Sequence, residues 1–413
     1  MIFAKLNIIR KIWKPALLAL LMLFTSYTIT NLDFSFTSET TPLKWLSSVK
    51  NFFNINQATE LNAQYCFINV GFDKMLVETM GDDGQFVAGN CDITDRYKLY
   101  KFVQLLKKHD NYRYLVLDID LNKKFKTEFD DSLFTTLSNM KRMAIGIDGD
   151  QLLSDYDIRI RNYCFSTNYG STFLQSDMTK SPLYYKGRPT LTHHVLKELT
   201  GDSINQFLCF YHDGYSISRK TLYPTFYIKE NSPKAERKIG GLLGYKDLYL
   251  NLGSTVLKEK GRYSNFEKFH SLVNNKIVVV GAFNKGTYDR HTTYAGQMSG
   301  ALILANEIES LLNGNHKISI WVILLYFVIF FFVSYYLLNN EQQSISSGPI
   351  RLGWSSKAIK FIVPIALIWT YYWVVLWIAG AIVFIFNGDL YDVYLSSAIF
   401  TALDVIIRKY KNK

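Results

Sequence analysis

The sequence predicts an α/β domain with a mainly parallel sheet and four transmembrane helices, one N-terminal and three C-terminal. Three observations lead to this fold class. Four stretches consist almost entirely of apolar residues, strand-like and helix-like segments alternate between the first two stretches, and excess positive charge is confined to segments beside them. With 48% hydrophobic and 20% charged residues over 413 positions, the composition excludes a disordered or low-complexity chain.

The first two apolar stretches are residues 15–30 and 318–338. The first follows a basic start, residues 1–14, and its apolar centre is as short as that of a signal peptide. Because no small-x-small cleavage site follows, an uncleaved anchor is favoured, with a cleaved signal peptide as the alternative. The second stretch carries no charge over 21 residues, which is enough for a spanning helix.

The last two apolar stretches, residues 361–386 and 390–407, complete the predicted bundle. The third is 26 uncharged residues without a polar turn, which predicts one long tilted helix. The fourth is weaker, because Asp392 and Asp404 lie near its ends, and Asp404 is placed to pair with Arg408 one helical turn later.

The charge distribution predicts which side of the membrane each segment occupies. Residues 1–14, 339–360 and 408–413 together hold eleven Lys and Arg but a single acid, and so carry +10 of the total net charge of +11. This pattern is typical of cytoplasmic loops and termini and argues against a nucleic-acid-binding surface. We therefore expect residues 31–317 to lie in the periplasm of a bacterium, with the lipid bilayer of the inner membrane as a partner.

Strand-like and helix-like segments alternate in the first half of residues 31–317. Short apolar runs predict strands over residues 65–72, 112–121 and 142–147, and helical spacing predicts helices over residues 92–109 and 130–140. Thr94 and Asp95 are N-cap candidates for the first helix. This order predicts right-handed crossovers and a parallel sheet.

The second half of this region begins with a Tyr-rich segment, residues 151–275, that we interpret as an insertion or second lobe. It contains predicted strands over residues 206–211 and 225–229. The α/β pattern then returns with a strand over residues 276–283, whose continuous apolar run is typical of a strand buried on both faces. A helix follows over residues 301–312, and Gly314 is placed to close it.

Two sequence blocks resemble the second class of CHASE domains, the extracytoplasmic sensor modules of bacterial membrane receptors. The N-terminal block contains LYKFVQLLKKH, LVLDIDL and DDSLFTTL. The features of the C-terminal block are a buried strand, an Asp-x-His sequence, and a helix with a small-residue start and an Ala-Asn pair: Gly281, Asp289, His291, Gly300, Ala305 and Asn306. The family's layout of one span, a domain and three spans matches the layout found from hydropathy.

The resemblance implies a sensor, and family members typically continue into a cytoplasmic output module. Here only residues 408–413 follow the last span, so we expect the signal to pass through the transmembrane bundle to a separate membrane or cytoplasmic protein. A non-sensing structural or scaffold subunit of a membrane complex is the alternative, and a homo-oligomer is compatible with either. An enzyme is disfavoured, because no nucleophile or general base stands at a usable spacing.

Candidate ligand-binding residues follow two predicted strands. Asp118 and Asp120 lie two apart, so a strand would point both to one face, at the carboxyl end where open parallel sheets bind ligands. Paired carboxylates suit a divalent cation; the alternative is a solvated strand end. Asp289, Arg290 and His291 follow the later strand and are suited to grip a ligand, or to stabilise their own loop.

Cysteines and histidines give no cofactor or metal site. An even number of cysteines in an oxidising compartment predicts up to two disulfides with the pairing open, or else buried free thiols. The four cysteines are Cys66, Cys91, Cys164 and Cys209. His193, His194 and His212 lack partners at metal-ligand spacing and are interpreted as ordinary surface or core residues. No metal, cofactor or catalytic residue is predicted.

Overall fold

The computed structural model divides into two compact units. The helical unit comprises residues 1–32, 204–219 and 317–413, and the sheet unit comprises residues 33–203 and 220–316. The residues that the structure describes are 2–31, 44–45, 64–80, 87–147, 153–166, 177–178, 180–208, 210–226, 250–253, 265–283, 289–339, 365–366, 369–378, 380–381 and 393–411.

The sheet unit contains most of the strands and five of the helices that the structure delimits. The strands of the whole chain are β1 (Tyr65–Asn69), β2 (Lys74–Met80), β3 (Val87–Thr94), β4 (Tyr114–Leu117), β5 (Met143–Ile147), β6 (Tyr163–Phe165), β7 (Asp177–Met178), β8 (Ser181–Pro182), β9 (Tyr184–Tyr185), β10 (Arg188–Pro189), β11 (Asn205–Phe207), β12 (Phe210–Asp213), β13 (Ser216–Ser218), β14 (Thr221–Leu222), β15 (Leu250–Asn251), β16 (Ile277–Gly281), β17 (Arg290–Thr293) and β18 (Gly296–Ser299). The helices are α1 (Ile2–Thr30), α2 (Arg96–His109), α3 (Asp130–Ser138), α4 (Leu191–Thr200), α5 (Asn265–Val273), α6 (Gly300–Leu312), α7 (Ile320–Asn339) and α8 (Val393–Lys411).

A six-stranded, fully parallel sheet forms the centre of the sheet unit, in the order β15-β1-β16-β4-β5-β6. Strand β16 pairs with β1 on one side and β4 on the other, and all five of its residues are buried. Its near-continuous valine run is what a strand covered on both faces requires. The prediction of an α/β domain with a mainly parallel sheet is confirmed.

Helices cover both faces of this sheet. Apolar side chains of α2, α3 and α5 pack with one set of strand residues, among them Cys66 and Ile68, into a single core cluster. The alternate residues point the other way because side chains alternate along a strand. Tyr65 accordingly donates a hydrogen bond to Glu309 of α6, at 3.0 Å, and α6 packs against α4 and β16.

The start of α2 shows how a local polar residue sets an element boundary. Asp95 accepts a hydrogen bond from the backbone N–H of Lys98 at 3.0 Å, which is the arrangement of a side-chain N-cap. Asp95 was one of the two predicted caps. The helix begins at Arg96 and not at Asp92, because residues 87–94 pair with β2 in an antiparallel ribbon.

Residues 151–275 are divided between the two compact units, with residues 204–219 in the helical unit and the rest in the sheet unit. Strands β6 and β15, both from this segment, are the two edge strands of the main sheet, and α5 packs into its core. The predicted single strand over residues 206–211 is wrong: β11 and β12 are antiparallel strands that meet at a turn containing Leu208. Of the predicted strand over residues 225–229, the first two residues are not in a strand and the rest lie outside the described residues.

The cysteines of the described part of the chain form no disulfide: Cys66, Cys91 and Cys164 are free, and Cys209 lies outside it. Cys66 is on β1 and Cys164 on β6, four strand steps apart, which separates them by roughly 19 Å. A disulfide needs Cα atoms within about 7 Å. Burial raises the pKa of the Cys66 thiol to about 11 and that of Cys164 to about 12.

In the helical unit, two of the described helices are long and apolar enough to cross a bilayer: residues Ile12–Thr30 of α1 and Ile320–Leu338 of α7. They correspond to the first two predicted spans. The third predicted span is helical over residues 369–378, and other parts of it lie outside the described residues. In the fourth, α8 is apolar only over Ser397–Ile406. Two possible spans are therefore supported, and the four-span bundle remains a prediction.

Candidate ligand-binding site

A cavity of about 470 Å³ lies at the carboxyl edge of the main sheet. Many of its lining residues are at the ends of parallel strands or directly follow them, as ligand sites in open α/β sheets do. Lining residues of this kind are Val70 after β1, Asp118 to Asp120 after β4, Gly146 and Ile147 in β5, Ser166 after β6 and Ala282 after β16. The volume is within the range that holds a small molecule.

Asp118 is the chemically unusual group of this cavity. Its backbone N–H donates to Val280 at 2.8 Å, which fixes the residue at the end of β4. The residue as a whole is half-buried, but its Oδ2 atom is buried and has no hydrogen-bond partner in the described structure. Burial raises the pKa of this carboxyl well above its usual value, and repulsion from Asp289 and then Glu307 raises it further.

Two glycines create the space around this carboxyl group. A Cβ atom on Gly281 would lie 2.4 Å from the Cβ of Ala301, so the end of β16 packs directly on α6 only because this residue has no side chain. A Cβ on Gly146 would lie 3.3 Å from Oδ1 of Asp118. The Asp118 carboxylate therefore fits at this edge of the sheet because residues 146 and 281 have no side chain.

Asp120 has a different role from the one that its spacing predicts. The strand ends at Leu117, so Asp118 and Asp120 do not share a strand face. Asp120 is exposed and accepts hydrogen bonds from Asn122 N–H at 3.0 Å and from the Tyr156 hydroxyl at 3.4 Å. Its backbone oxygen accepts from the fully buried Arg96 at 2.9 Å. Asp120 therefore lines the cavity while holding its own loop in place.

The later loop contributes Asp289 and His291, but not Arg290, to the cavity lining. Nε2 of His291 lies 3.0 Å from Oδ1 of Asp289, and both side chains are about one-third exposed. Arg290 is the intervening residue of β17, so alternation directs it to the other face, where its guanidinium contacts the backbone oxygen of Gln297 at 3.5 Å. The structure brings four of the five predicted residues to one cavity.

A wall of the cavity that sequence reasoning missed is the β2–β3 ribbon. Lys74, Cys91 and Asp92 line the cavity from this ribbon, and burial lowers the pKa of Lys74. The signal was present in the sequence as Asp83-Gly84 between two runs of strand-forming residues, since Asp-Gly is a strong hairpin indicator.

Two further histidines lie outside the cavity. His193 and His194 lie on helix α4, not on a strand, and His193 is buried with its ring 4.8 Å from that of Tyr184. Burial lowers the pKa of His193 to about 4. Within the described residues, no group of three His, Cys, Asp or Glu side chains is placed to hold a metal ion.

Comparison with known proteins shows the family of the chain. The family model of the CHASE2 domain matches residues 68–338, which run from within β1, through the other strands of the central sheet and both cavity loops, into helix α7. No curated protein and no solved structure matches the chain. CHASE2 is a family of extracellular sensor domains. Because the match covers more than half of the sequence, the chain belongs to the CHASE2 domain family.

Proposed function

We propose that this protein is a membrane-anchored receptor that binds, rather than transforms, a small ligand at the carboxyl edge of its sheet and passes the signal to a separate output protein. The observation that carries the proposal is the cavity with the unpartnered Oδ2 of Asp118 inside a sensor-family domain. A buried polar atom without a partner costs free energy, and a ligand that pairs with it recovers that cost on binding.

The cavity favours a ligand that is cationic or rich in hydrogen-bond donors. Among the Asp, Lys and His side chains of its lining, the acidic ones prevail: Asp92, Asp118, Asp120 and Asp289, against Lys74 and His291. A carboxylate accepts hydrogen bonds, and its ionised form is stabilised by a nearby cation. An amine placed beside Asp118 would satisfy the Oδ2 atom and offset its repulsion with Asp289.

We propose that four transmembrane helices anchor the receptor in the bacterial inner membrane, with the sheet unit in the periplasm and both termini in the cytoplasm. Two apolar helices of spanning length and the basic character of residues 1–14, 339–360 and 408–413 support this topology. Binding in the cavity would bias the helix bundle, and the basic loop of residues 339–360 is the segment we expect an output protein to contact.

Ligand chemistry is tested by measuring thermal stability of the intact protein in detergent with putrescine, arginine or citrate. We expect putrescine or arginine to raise the melting temperature, because a ligand that binds only the folded state stabilises it, whereas citrate should have no effect. Asp118→Asn should abolish the shift. Arg290→Gln is the matched control, since this neighbouring residue does not line the cavity. Stabilisation by citrate alone would contradict the proposal.

The output partner is tested by gentle crosslinking in cells, purification in mild detergent and mass spectrometry. A co-purifying kinase, cyclase or other signalling protein, lost when residues 339–360 are deleted, is the expected result. Constant recovery with structural or transport components, unaffected by ligand, would instead select a scaffold subunit as the function.

A further inference from the structure

Residues 205–218 of the helical unit form a three-stranded antiparallel sheet, β11-β12-β13, which we call the meander. The hydroxyl of Tyr27, near the end of α1, joins it to the helices: it accepts from Tyr211 N–H at 2.8 Å and donates to the backbone oxygen of Ser218 at 2.9 Å. Ile318, just before α7, donates its N–H to Ile217 at 2.8 Å. The meander is therefore fixed to both candidate spans.

The turn between β11 and β12 exposes a cluster of apolar side chains. Phe207 is 67% exposed and Leu208 is 76% exposed, and Phe210 follows them at 39%. Leu208 has a φ of +55°, a conformation that favours glycine or asparagine and is costly for a branched apolar residue. Leucine at this position is therefore unfavourable in water for two reasons: its apolar side chain is exposed, and its backbone has a positive φ.

Two contacts of the described turn residues suit an apolar environment. Phe207 and Phe210 are antiparallel partners, and the side chain of Gln206 donates to the backbone oxygen of Leu208 at 2.8 Å. In hydrocarbon, backbone groups without a partner cost several kcal/mol each, so a side chain that satisfies a turn carbonyl suits immersion.

The polar groups of the meander are concentrated at the other end of β12. There Asp213 lies buried with its carboxylate 2.9 Å from the ammonium group of Lys317. The β12–β13 connection is Gly214 and Tyr215, and the Tyr215 side chain is fully exposed. One turn of the meander thus presents apolar side chains, while the other lies beside an ion pair and presents tyrosine, a side chain enriched at membrane–water interfaces.

Ring contacts with α1 show how far the apolar turn lies from the end of that helix. The ring of Phe210 lies 5.9 Å from that of Phe24 and 5.5 Å from that of Tyr27. Phe24 precedes Thr30, the last residue of α1, by six positions, which is about 9 Å along the helix axis. Interfacial elements bury their apolar face roughly 5–10 Å into the headgroup and acyl boundary.

We propose that the apolar turn of the meander, Phe207, Leu208 and Phe210, inserts into the phospholipid acyl region of the outer leaflet beside α1. This inference rests on the membrane anchoring proposed above. The occupant is lipid because the turn continues the exposed apolar surface of α1, where Leu20, Leu21 and Phe24 are 41–58% exposed. The meander then holds the ends of α1 and α7 at a defined depth in the bilayer.

The test is photocrosslinking of the full chain in nanodiscs of phosphatidylethanolamine and phosphatidylglycerol. The photoreactive residue p-benzoylphenylalanine is placed singly at position 208, at position 20 on α1, and at position 158 in the sheet unit, where Ile158 is 91% exposed. We expect lipid adducts at positions 208 and 20 and none at 158, detected as mass shifts of the labelled peptides. A protein melting like the wild type shows that the label is tolerated; if position 208 fails, position 207 replaces it.

Comparing the three labelled positions distinguishes failure of the meander inference from failure of the proposed membrane anchoring. Adducts at position 20 without adducts at 208 or 207 would overturn the meander inference and leave the membrane anchoring intact. Crosslinks from position 208 to a second protein chain would overturn it in favour of a protein interface. The absence of adducts at position 20 would overturn the anchoring, and the inference with it.

Discussion

The strand-end cavity and the meander are both unusual in where their side chains lie: the cavity buries a polar group, and the meander exposes apolar ones. At the cavity, one carboxylate oxygen of Asp118 is buried and has no donor among the described residues. At the meander, Phe207 and Leu208 hold large apolar surfaces in the open. Both arrangements cost stability in water, because polar groups are favoured outside and clustered apolar groups inside. The difference therefore indicates two kinds of partner, a polar ligand for the first region and an apolar phase for the second.

The largest expected effect comes from Gly281→Ala, which tests whether the cavity depends on close packing of β16 on α6. The new Cβ would lie 2.4 Å from Ala301, so we expect a loss of about 3 kcal/mol in the free energy of unfolding, measured by denaturant titration. Gly146→Ala is the control: its Cβ meets the Asp118 carboxylate at 3.3 Å, so it should disturb the cavity more than the fold. Equal stability of Gly281→Ala and wild type would refute this account.

The next effect is expected at the meander, from Tyr27→Phe. Removing the hydroxyl leaves the N–H of Tyr211 and the backbone oxygen of Ser218 without this partner, which should cost about 1–2 kcal/mol. We expect faster proteolysis within residues 204–219 of the purified protein, read by mass spectrometry. Tyr336→Phe, an exposed position on α7, is the matched control and should leave the cleavage rate unchanged.

A smaller effect of opposite sign is expected from Asp118→Asn. Because the folded-state pKa of this carboxyl is raised, the fold binds its proton more tightly than the unfolded chain does. Wild-type stability should therefore fall as pH rises from about 4, the unfolded value, through the raised folded value. Asp118→Asn removes this loss, so we expect it to be more stable by about 1 kcal/mol at pH 8, with the difference vanishing towards pH 4. A destabilised variant at pH 8 would contradict the argument.

The smallest effect is expected from Asp289→Asn, which removes one cause of the raised Asp118 pKa but not its burial, the main cause. The folded-state pKa of Asp118 should fall towards its usual value, so in thermal melts the loss of stability should be smaller in total and should end at a lower pH than in the wild type. Asp110→Asn, a surface carboxylate paired with Arg142, should leave the pH profile unchanged. An unaltered profile for Asp289→Asn would show that the two carboxylates do not interact.

Local patterns made a large part of the fold predictable. The apolar run of β16, the helical spacing of α2 with its Asp95 cap, and the uncharged stretch of α7 each depend on neighbours in sequence, and each element is found within a few residues of its predicted bounds. The predictions that failed crossed an element boundary that no short-range pattern marks. Residues 206–211 have the composition of one strand, but the chain turns at Leu208. Strands β6 and β15 were not predicted, and they form the two edges of the main sheet.

The sequence by itself determined the alternation of strands and helices, two apolar helices of spanning length and the segregation of positive charge, because periodicity and charge are local properties of the chain. Only the tertiary structure decided which residues meet. Strand β16 enters between β1 and β4, which brings Asp289 and His291 to Asp118 and keeps Cys66 about four strands from Cys164. Strand order is set by long-range packing of side chains on both faces of the sheet, and residue spacing along the chain carries no record of it.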